Sequence, residues 1–445
     1  MHRPEGINRH GTATAGQHPE VFSFRSPYES GMSENDRRRA GFKNRTRVAA
    51  ARSRLLAAID PHERSESVPL EAADGRVVAE TVTSPRPVPH YSRAAMDGYA
   101  VRAEDTFGAS DRSPVAVRVA DDAGRVRPGT ASRVHTGSEL PGGADAVVMV
   151  EDTETVGGDL EVFTPVAEGE NVAPVGEDVA ADQPLYDPGH RLRPSDLGLL
   201  KSVGATGVTV YDPPRVSVVP TGEELVQEDP EPGEVIETNG QTVSQFVERW
   251  GGEATYRDIV TDDPAALGRA IERDLDRDVI VTTGGSSVGE RDYLPEVLSD
   301  LGEILVHGVA LKPGHPVALA VVDDTPVLAL PGYPVACIVN AVQFLRPAVK
   351  HVGHVPCPPF PSRTAILDRK ISSDPGTRTF VRVQVQPADG DGDGDGDTTV
   401  VPTRASGAGV LSSVALADGW VVVPEGREGY DAGTAVEVKN WEWSA

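Results

Sequence analysis

The chain has 445 residues, with 68 acidic side chains, 42 basic side chains, two cysteines and a formal net charge of -26. This length suggests about three domains of roughly 150 residues each. The cysteine count excludes a disulfide scaffold and a cysteine-rich zinc site. The sequence contains no apolar run of about 18 residues and no recognisable signal peptide, so we expect a soluble, cytoplasmic protein without a membrane anchor.

The negative charge is spread along most of the chain. Residues 1–47 carry nine Lys and Arg against five Asp and Glu, which leaves the rest of the chain with a net charge of -30. Such a surface repels nucleic acid and anionic membranes. A Lys-poor, acidic composition is typical of proteins that dissolve in concentrated salt, because salt screens their self-repulsion. The alternative is an acidic tract that binds a basic partner, although the acids are not clustered.

The first half of the chain predicts a helical start followed by β-structure. Residues 1–45 lack hydrophobic periodicity and are expected to be disordered; Met32 within them is interpreted as an alternative start. Ala and Leu at helical spacing predict a helix over 47–59. Short strand-like runs then alternate with turns over 77–188, for example at 146–150 and at 160–166. A second helix is predicted over 194–203.

From residue 215 the pattern changes to an alternation of strands and helices. This alternation predicts a parallel sheet with right-handed crossovers. The expected strands are 215–220, 255–260 and 279–283, and the expected helices are 241–250, 264–275 and 335–349.

The last 90 residues, after Pro356, again predict β-structure without a long helical period. The stretch 389–397, DGDGDGDGD, matches the front of an EF-hand calcium loop. However, Pro402 stands where that loop requires Glu, and no helices are predicted beside it. A solvated hairpin turn is therefore the better interpretation.

Three loops follow strands of the predicted parallel sheet, at 220–224, 283–289 and 330–334. The carboxyl ends of parallel strands meet at one edge, where open α/β sheets bind ligands. Glycines permit close backbone approach, and N–H groups at a helix start favour an anion. Ser286 and Ser287 could add hydroxyl donors. Each loop alone could also be an ordinary tight turn, but three at one edge indicate a binding site.

Charged side chains near these loops suggest two kinds of ligand contact. Glu224, Asp262 and Asp292 offer oxygens without His or Cys, which suits a magnesium ion that bridges phosphate oxygens. Each singly could be an ordinary surface acid. Lys312 lies between a strand and a Pro-Gly turn, and it is a candidate for binding an anion. The alternative is that Lys312 is an ordinary solvated residue of a loop.

The β tail offers a second candidate anion site. Arg378, Phe380 and Arg382 share one face of a predicted strand, and paired guanidiniums could hold a tetrahedral oxyanion. A ladder of cross-strand ion pairs is the alternative. Ser406 could supply a hydroxyl to the same anion or merely shape a turn.

Seven ordered motifs together resemble the MoeA family, which includes the E domain of gephyrin and its plant counterpart. They are AMDGYA, TG near residue 136, GED at 176–178, PTGEEL, TTGGSSVGERD, KPGHP and LPGYP. The resemblance extends from about residue 47 to residue 438. It implies a multidomain α/β plus β fold, in which a MogA-like three-layer α/β domain accompanies a helical and β stem, an inserted β module and a C-terminal β domain.

The resemblance also implies domain boundaries and an assembly. The implied parts are a disordered N-terminal extension at 1–45, the stem at 46–95 and 180–212, the β module at 96–179, the MogA-like domain at 213–354 and the C-terminal β domain at 355–445. Family members are elongated homodimers, so we expect a cleft shared between the subunits.

The implied reaction is the magnesium-dependent insertion of molybdate into adenylylated molybdopterin, which releases AMP and molybdenum cofactor. Transfer partners are expected among the proteins of the molybdopterin pathway. Two alternatives remain open: a molybdopterin adenylyltransferase, because of the MogA-like domain, and a non-catalytic scaffold that binds a partner protein.

Residue by residue, the resemblance assigns three overlapping sets. The catalytic set is Asp97, Asp178, Glu224, Asp262, Asp292, Lys312 and Arg382. The substrate-binding set is Thr136, Gly284, Gly285, Ser287, Pro331, Gly332, Pro334 and Ser406, and the loop and strand patterns described above add Ser286 and Arg378 to it. The metal set is Glu224, Asp262 and Asp292. The chain departs from the family pattern at Ala173, at His315 in place of Lys and at Tyr333 in place of Asn. A paralogue that uses tungstate is therefore an alternative.

Overall fold

A computed structural model describes residues 45–120, 124–285, 293–386, 398–403 and 407–443. The predicted disordered segment lies outside these ranges except for Arg45, and the predicted turn at 389–397 lies outside them entirely. Across the described residues, no helix is long and apolar enough to cross a membrane.

The chain enters the fold through helix α1 (Val48–Ala57), close to the predicted 47–59. Its buried residues Val48, Ala51 and Leu55 follow the spacing of one helix face, and they belong to the same apolar cluster as the core of the α/β part. Strands β1 (Ser65–Pro69) and β2 (Val82–Thr83) follow.

The inserted β module comes next and has an apolar core of its own. Its strands are β3 (Arg93–Ala94), β4 (Gly98–Val101), β5 (Val115–Val119), β6 (Thr130–Val134), β7 (Ala146–Met149), β8 (Thr153–Val156), β9 (Asp159–Val162) and β10 (Val172–Ala173). The main sheet has the order β7-β4-β6-β5-β9-β8. The strand predicted at 146–150 is present as β7. The strand predicted at 160–166 is β9, which ends four residues earlier, where its ladder with β5 and β8 ends.

The chain then returns to the stem through β11 (Pro184–Tyr186), α2 (Pro194–Ser202) and β12 (Gly207–Tyr211). Strand β12 pairs antiparallel with β1, and β11 pairs with β2. The stem is therefore built from two stretches of chain that flank the β module.

The α/β part carries the sheet that the sequence predicts. Its strands are β13 (Arg215–Pro220), β14 (Leu225–Val226), β15 (Val235–Ile236), β16 (Glu253–Tyr256), β17 (Val279–Thr283), β18 (Glu303–His307), β19 (Leu311–Lys312), β20 (Ala318–Val322) and β21 (Thr325–Leu330). Its helices are α3 (Asn239–Arg249), α4 (Pro264–Arg273), α5 (Leu294–Leu301), α6 (Pro334–Asn340) and α7 (Arg346–Val352). A π-helical turn joins α6 to α7, so the predicted helix 335–349 extends to Val352.

The main sheet of this part has the order β16-β13-β17-β21-β20-β18. Strands β16, β13, β17 and β21 are parallel, as predicted. The prediction is wrong for β20, which runs antiparallel to both of its neighbours, β21 and β18. Asp323 and Asp324 both have positive φ, 45° and 66°, and form a tight hairpin turn between β20 and β21, which leaves no room for a crossover helix. Strand β16 also begins at Glu253 rather than at 255, because its ladder with β13 begins there.

The sheet lies between two layers of helices. Along β17, Val279 and Val281 pack in the cluster that contains α3, α6 and α7, whereas Ile280 packs with α4 and α5. Alternate side chains of a strand point to opposite faces. Fully apolar strands are therefore buried on both sides, which explains the continuous apolar runs in the sequence.

The C-terminal part is a β-structure that closes on itself. It contains β22 (Ser362–Leu367), β23 (Ile371–Ser372), β24 (Arg378–Gln386), β25 (Thr399–Pro402), α8 (Ser412–Ala415), β26 (Gly419–Val423), β27 (Gly429–Tyr430) and β28 (Ala435–Lys439). The order is β19-β24-β25-β22-β28-β26, and a further pairing of β24 with β26 completes the ring.

Two features fix this part against the α/β part. Strand β19 lies between β18 and β20 in the chain but does not join their sheet. It pairs in parallel with the start of β24. The aromatic ring of Phe246 on α3 also meets Trp441 edge to face, with ring centroids 5.9 Å apart, and Trp441 stacks on Trp420 at 4.9 Å. The two parts thereby enclose a cavity between them.

Candidate active site

The described residues of the three predicted loops, in 220–224, 283–285 and 330–334, meet at one sheet edge and help to line a cavity of about 1100 Å³. Strands β13, β17 and β21 are parallel neighbours, so the loops after them lie side by side. Thr221, Gly284 and Gly332 line the cavity from these loops. Residues of β24 and of neighbouring segments of the C-terminal part also line the cavity.

Gly284 is required by the close approach of two of these loops. A Cβ atom at this position would lie 2.2 Å from the carbonyl oxygen of Thr221. The N–H of Gly284 donates to the carbonyl of Leu330 at 3.0 Å. The next residue, Gly285, has a φ of 63°, which favours glycine. The glycines therefore set the spacing of the loops.

The cavity gathers many of the residues that the sequence singles out. Those that line it are Glu224, Asp262, Gly284, Gly285, Lys312, Pro331, Gly332, Pro334 and Arg382. Ser286, Ser287, Asp292 and Ser406 lie outside the described residues.

Two carboxylates, Glu224 and Asp262, border the cavity on the α/β side. The partial burial of Asp262 raises the pKa of its carboxyl, and the negative charge of Glu224 raises it further, whereas a backbone hydrogen bond from Glu223 lowers it. A cation would relieve this like-charge repulsion. Within the described ranges, no group of three or more His, Cys, Asp or Glu is arranged to hold a metal ion.

Basic side chains also border the cavity. The Lys312 ammonium is 3.0 Å from Oδ2 of Asp374, and the Lys370 ammonium is 3.1 Å from Oδ1 of Asp431. Both lysines are exposed. Arg382 on β24 is buried, and this burial lowers the pKa of its guanidinium. The sequence analysis missed Lys370, although lysine is rare enough in this chain to have been a signal.

Arg378 does not line the cavity. Its Nε and Nη2 donate to Oε2 of Glu425 at 3.1 and 3.0 Å. Its guanidinium is therefore partly neutralised by an acid within the C-terminal part, as in the ion-pair alternative. A role for Arg378 in substrate binding stays a prediction.

Asp97, Thr136 and Asp178 lie in exposed positions of the β module and do not line this cavity. The backbone N–H and the hydroxyl of Thr136 donate to Oδ1 of Asp97 at 2.7 and 2.9 Å. These hydrogen bonds lower the pKa of the Asp97 carboxyl. The expectation that this patch contacts a partner subunit's cleft stays a prediction.

The sequence analysis also missed two polar residues at the start of α3. The buried carboxylate of Glu237 accepts hydrogen bonds from the Tyr256 hydroxyl at 2.5 Å and from the Gly240 N–H at 2.7 Å. Nδ2 of Asn239 donates to the carbonyl of Gly332 at 2.7 Å, which ties α3 to the third loop. The signal for both was the sequence ETNG directly before an amphipathic helix.

Comparison with known proteins extends over nearly the whole described chain. Family models match residues 46–204 as the MoeA N-terminal region (domain I and II), 217–351 as a probable molybdopterin binding domain and 364–441 as the MoeA C-terminal region (domain IV). A crystal structure of a molybdopterin biosynthesis MoeA protein from Pyrococcus horikoshii is 33% identical, with a TM-score of 0.74, and covers 90% of this chain and 100% of that one.

Curated relatives agree with these matches. A protein of Methanocaldococcus jannaschii whose name refers to molybdopterin biosynthesis is 36% identical over 85% of this chain and 93% of its own length. Molybdopterin molybdenumtransferase 2 of Mycobacterium tuberculosis is 33% identical over 84% of this chain and 95% of its own length. The stem, the β module, the α/β sheet and the closed C-terminal β-structure thus occur in the order that the models require, and the chain belongs to the MoeA family.

Proposed function

We propose that this protein is a molybdopterin molybdenumtransferase, which inserts molybdate into adenylylated molybdopterin and releases AMP and molybdenum cofactor. The observation that carries the proposal is the cavity between the α/β and C-terminal parts, which is lined by both carboxylates and basic groups. Molybdenum cofactor biosynthesis is the process to which its curated relatives belong.

The basic residues that line the cavity suit the anionic groups of the substrates. Lys312 and Lys370 are exposed cations that can bind phosphate oxygens as point charges. Arg382 also lines the cavity, and its planar guanidinium suits an oxyanion such as molybdate. We assign molybdate binding to Arg382, with Ser406 as a further proposed contact.

The two carboxylates that line the cavity suit a magnesium ion. Glu224 and Asp262 supply only oxygen donors, and the charge of Glu224 already raises the pKa of the Asp262 carboxyl. These two residues, with Asp292, would hold the ion. Magnesium, when bound, neutralises phosphate charge. The protein's own part is to position the two carboxylates and to place the substrate phosphates near them and near Lys312.

The three loops would bind the remainder of the substrate through backbone groups. Gly284 and Gly285 lack side chains and would let the main chain approach the ligand closely, and Pro331, Gly332 and Pro334 shape the adjacent loop. The homodimer, the partner-facing role of the β module and a cytoplasmic location are proposals of the same kind, since they rest on the family alone.

The test supplies the purified protein with adenylylated molybdopterin, magnesium and molybdate, in concentrated KCl and in dilute buffer. We expect AMP release together with cofactor formation. Formation of the adenylate from ATP and molybdopterin would instead support an adenylyltransferase. If the protein shows neither activity in either medium, the non-catalytic scaffold is the remaining interpretation. Metal analysis of the product after competition between molybdate and tungstate would identify the oxyanion that is used.

A further inference from the structure

An exposed aromatic ring stands in the cavity wall without a role in the reaction outlined above. Tyr333 lines the cavity from the third loop, and 67% of its surface is exposed. Large aromatic surfaces are normally buried, and one that is exposed inside a ligand cavity is available to contact a ligand.

The backbone beneath this ring is held on several sides. Asn239 donates to the carbonyl of Gly332, directly before Tyr333, at 2.7 Å. The carbonyl of Tyr333 accepts the N–H of Cys337 at 2.8 Å in the first turn of α6. The N–H of Val335 donates to the carbonyl of Ala408 in the C-terminal part at 3.0 Å. The main chain of Tyr333 is therefore fixed relative to both parts that enclose the cavity.

The ring itself is supported along one edge. A Cβ atom placed on Gly409 would lie 3.3 Å from Cδ1 and 3.7 Å from Cε1 of Tyr333, so this edge of the ring lies close to the Gly409 main chain. The contact limits the rotation of the side chain, while most of the ring stays exposed. A ring that is restricted along one edge loses less entropy than an unrestricted ring when a ligand covers it.

The rest of the cavity indicates what kind of ligand would cover the ring. Val235 and Ile236 also line it, and they are 55% and 44% exposed. The basic groups of Lys312 and Lys370 border the same space. Exposed apolar and aromatic surface beside cations suits a flat heteroaromatic ring that carries a phosphate.

We propose that Tyr333 is a stacking platform that determines the specificity of this cavity for a phosphorylated heteroaromatic ring. The inference rests on the proposed function, whose substrate contains two such rings, the adenine of its nucleotide and the pterin. Tyr333 stacks on one of them and discriminates against ligands that carry the same phosphate without a ring. A nonaromatic side chain at this position lacks the π face that this contact needs.

The test compares ligand binding to Tyr333→Phe, Tyr333→Leu and Tyr333→Ala by isothermal titration calorimetry in concentrated KCl. The ligands are AMP, a pterin monophosphate and ribose 5-phosphate, which has no base. Phe107→Ala is the control, because Phe107 is 65% exposed in the β module and lies outside the cavity lining. Thermal unfolding of each variant verifies that it is folded.

We expect Tyr333→Phe to bind as the unsubstituted protein does. The Leu and Ala variants should lose about 5- to 150-fold in affinity for the ring that stacks, with ribose 5-phosphate and the Phe107→Ala control unaffected. A loss for AMP alone assigns the platform to adenine, and a loss for the pterin alone assigns it to the pterin. An equal loss for ribose 5-phosphate, an unchanged affinity for both rings, or no binding of either ring to the unsubstituted protein overturns the inference.

The turnover assay separates this inference from the proposed function. Normal AMP release by Tyr333→Ala, with unchanged ring affinities, would remove the stack and leave the proposed function intact. Ring affinities that depend on Tyr333, in a protein that releases no AMP, would uphold the stack and refute the proposed function.

Discussion

The ammonium of Lys312 donates a hydrogen bond to the carboxylate of Asp374, with 3.0 Å between Nζ and Oδ2. Their side chains are 58% and 68% exposed, so water and salt screen the pair. Exposed pairs of this kind contribute about 0 to 1 kcal/mol to stability. Asp374 therefore competes with any anionic ligand for Lys312, and it does so most strongly in dilute buffer.

Asp374→Asn should strengthen AMP binding in dilute buffer by about two- to fivefold, because the competing charge is removed. Calorimetric titration measures this change, which should largely disappear in concentrated KCl. The control is Asp368→Asn, which removes an equal charge from the exposed pair with Arg369. An equal gain in both variants would mean that total charge, and not Lys312, limits binding.

Asp262→Asn should raise the magnesium concentration needed for half-maximal AMP release by about tenfold or more, because one proposed oxygen ligand loses its charge. It should also slightly raise the midpoint of thermal unfolding, since the raised pKa of Asp262 means that its ionised form is disfavoured in the fold. The matched control is Glu228→Gln, an exposed acid outside the cavity lining. An unchanged magnesium requirement would remove Asp262 from the metal set.

His315 should give substrate binding a dependence on pH. Burial lowers the pKa of its imidazole below 6.5, and the positive charge of Arg45 lowers it further. The ring is therefore neutral at pH 7 and becomes cationic only in more acidic solution. AMP affinity should rise as the pH falls through this lowered pKa.

The matched variant is His315→Lys, which carries its charge at neutral pH. It should bind AMP about two- to tenfold more tightly at pH 7, as expected for one added charge-assisted contact. Its affinity for AMP should also not increase as the pH falls, and calorimetric titrations from pH 5 to pH 8 measure this. Parallel pH profiles for the two proteins would show that another group titrates.

Asp274 should be important for stability and not for the reaction. Its side chain is fully buried on the α/β side, where it accepts hydrogen bonds from Arg257, Arg273 and Ser217. Burial raises the pKa of its carboxyl, but these hydrogen bonds outweigh burial, so the net pKa lies below 3.8. The stabilisation is therefore present above pH 3.8 and is lost as the pH falls through the lowered pKa.

Asp274→Ala should cost about 1 to 3 kcal/mol of unfolding free energy, because it removes the buried carboxylate that accepts hydrogen bonds from two guanidiniums and from the buried Ser217. Urea unfolding at neutral pH measures this loss. Asp276→Ala removes an exposed carboxylate that pairs with the partly buried Arg277, and it should change stability by no more than about 0.5 kcal/mol. Similar losses in the two variants would contradict a special role for the buried cluster.

Much of the α/β part could be predicted because its local signals agree with its packing. The apolar strand 215–220 and the strand 279–283 occur with the predicted bounds, since residues buried on both faces leave no polar alternation to misread. Strands β17 and β21 are parallel neighbours, so the loops that follow them, which contain Gly284 and Gly332, lie side by side. The antiparallel direction of β20 was not predicted, because the turn of two aspartates between β20 and β21 is a weaker hairpin signal than Asn-Gly.

The candidate site was only partly predictable for the same reason. Glu224, Asp262 and Lys312 stand beside recognisable loops, whereas Lys370 reaches the cavity from a distant strand connection. Whether Arg378 or Arg382 borders the cavity also depended on partners far along the chain. Strand alternation gives both residues the same face, but only the fold supplies Glu425 to one of them.

The sequence by itself determined the family, the order of the four parts and the glycine-rich loops, because these depend on local patterns and on motif order. Only the tertiary structure decided which charges meet. It pairs Lys312 with Asp374, places the buried Arg382 in the cavity wall and leaves the ring of Tyr333 exposed there. Such relationships join residues far apart in the chain, and no local propensity encodes the distance between them.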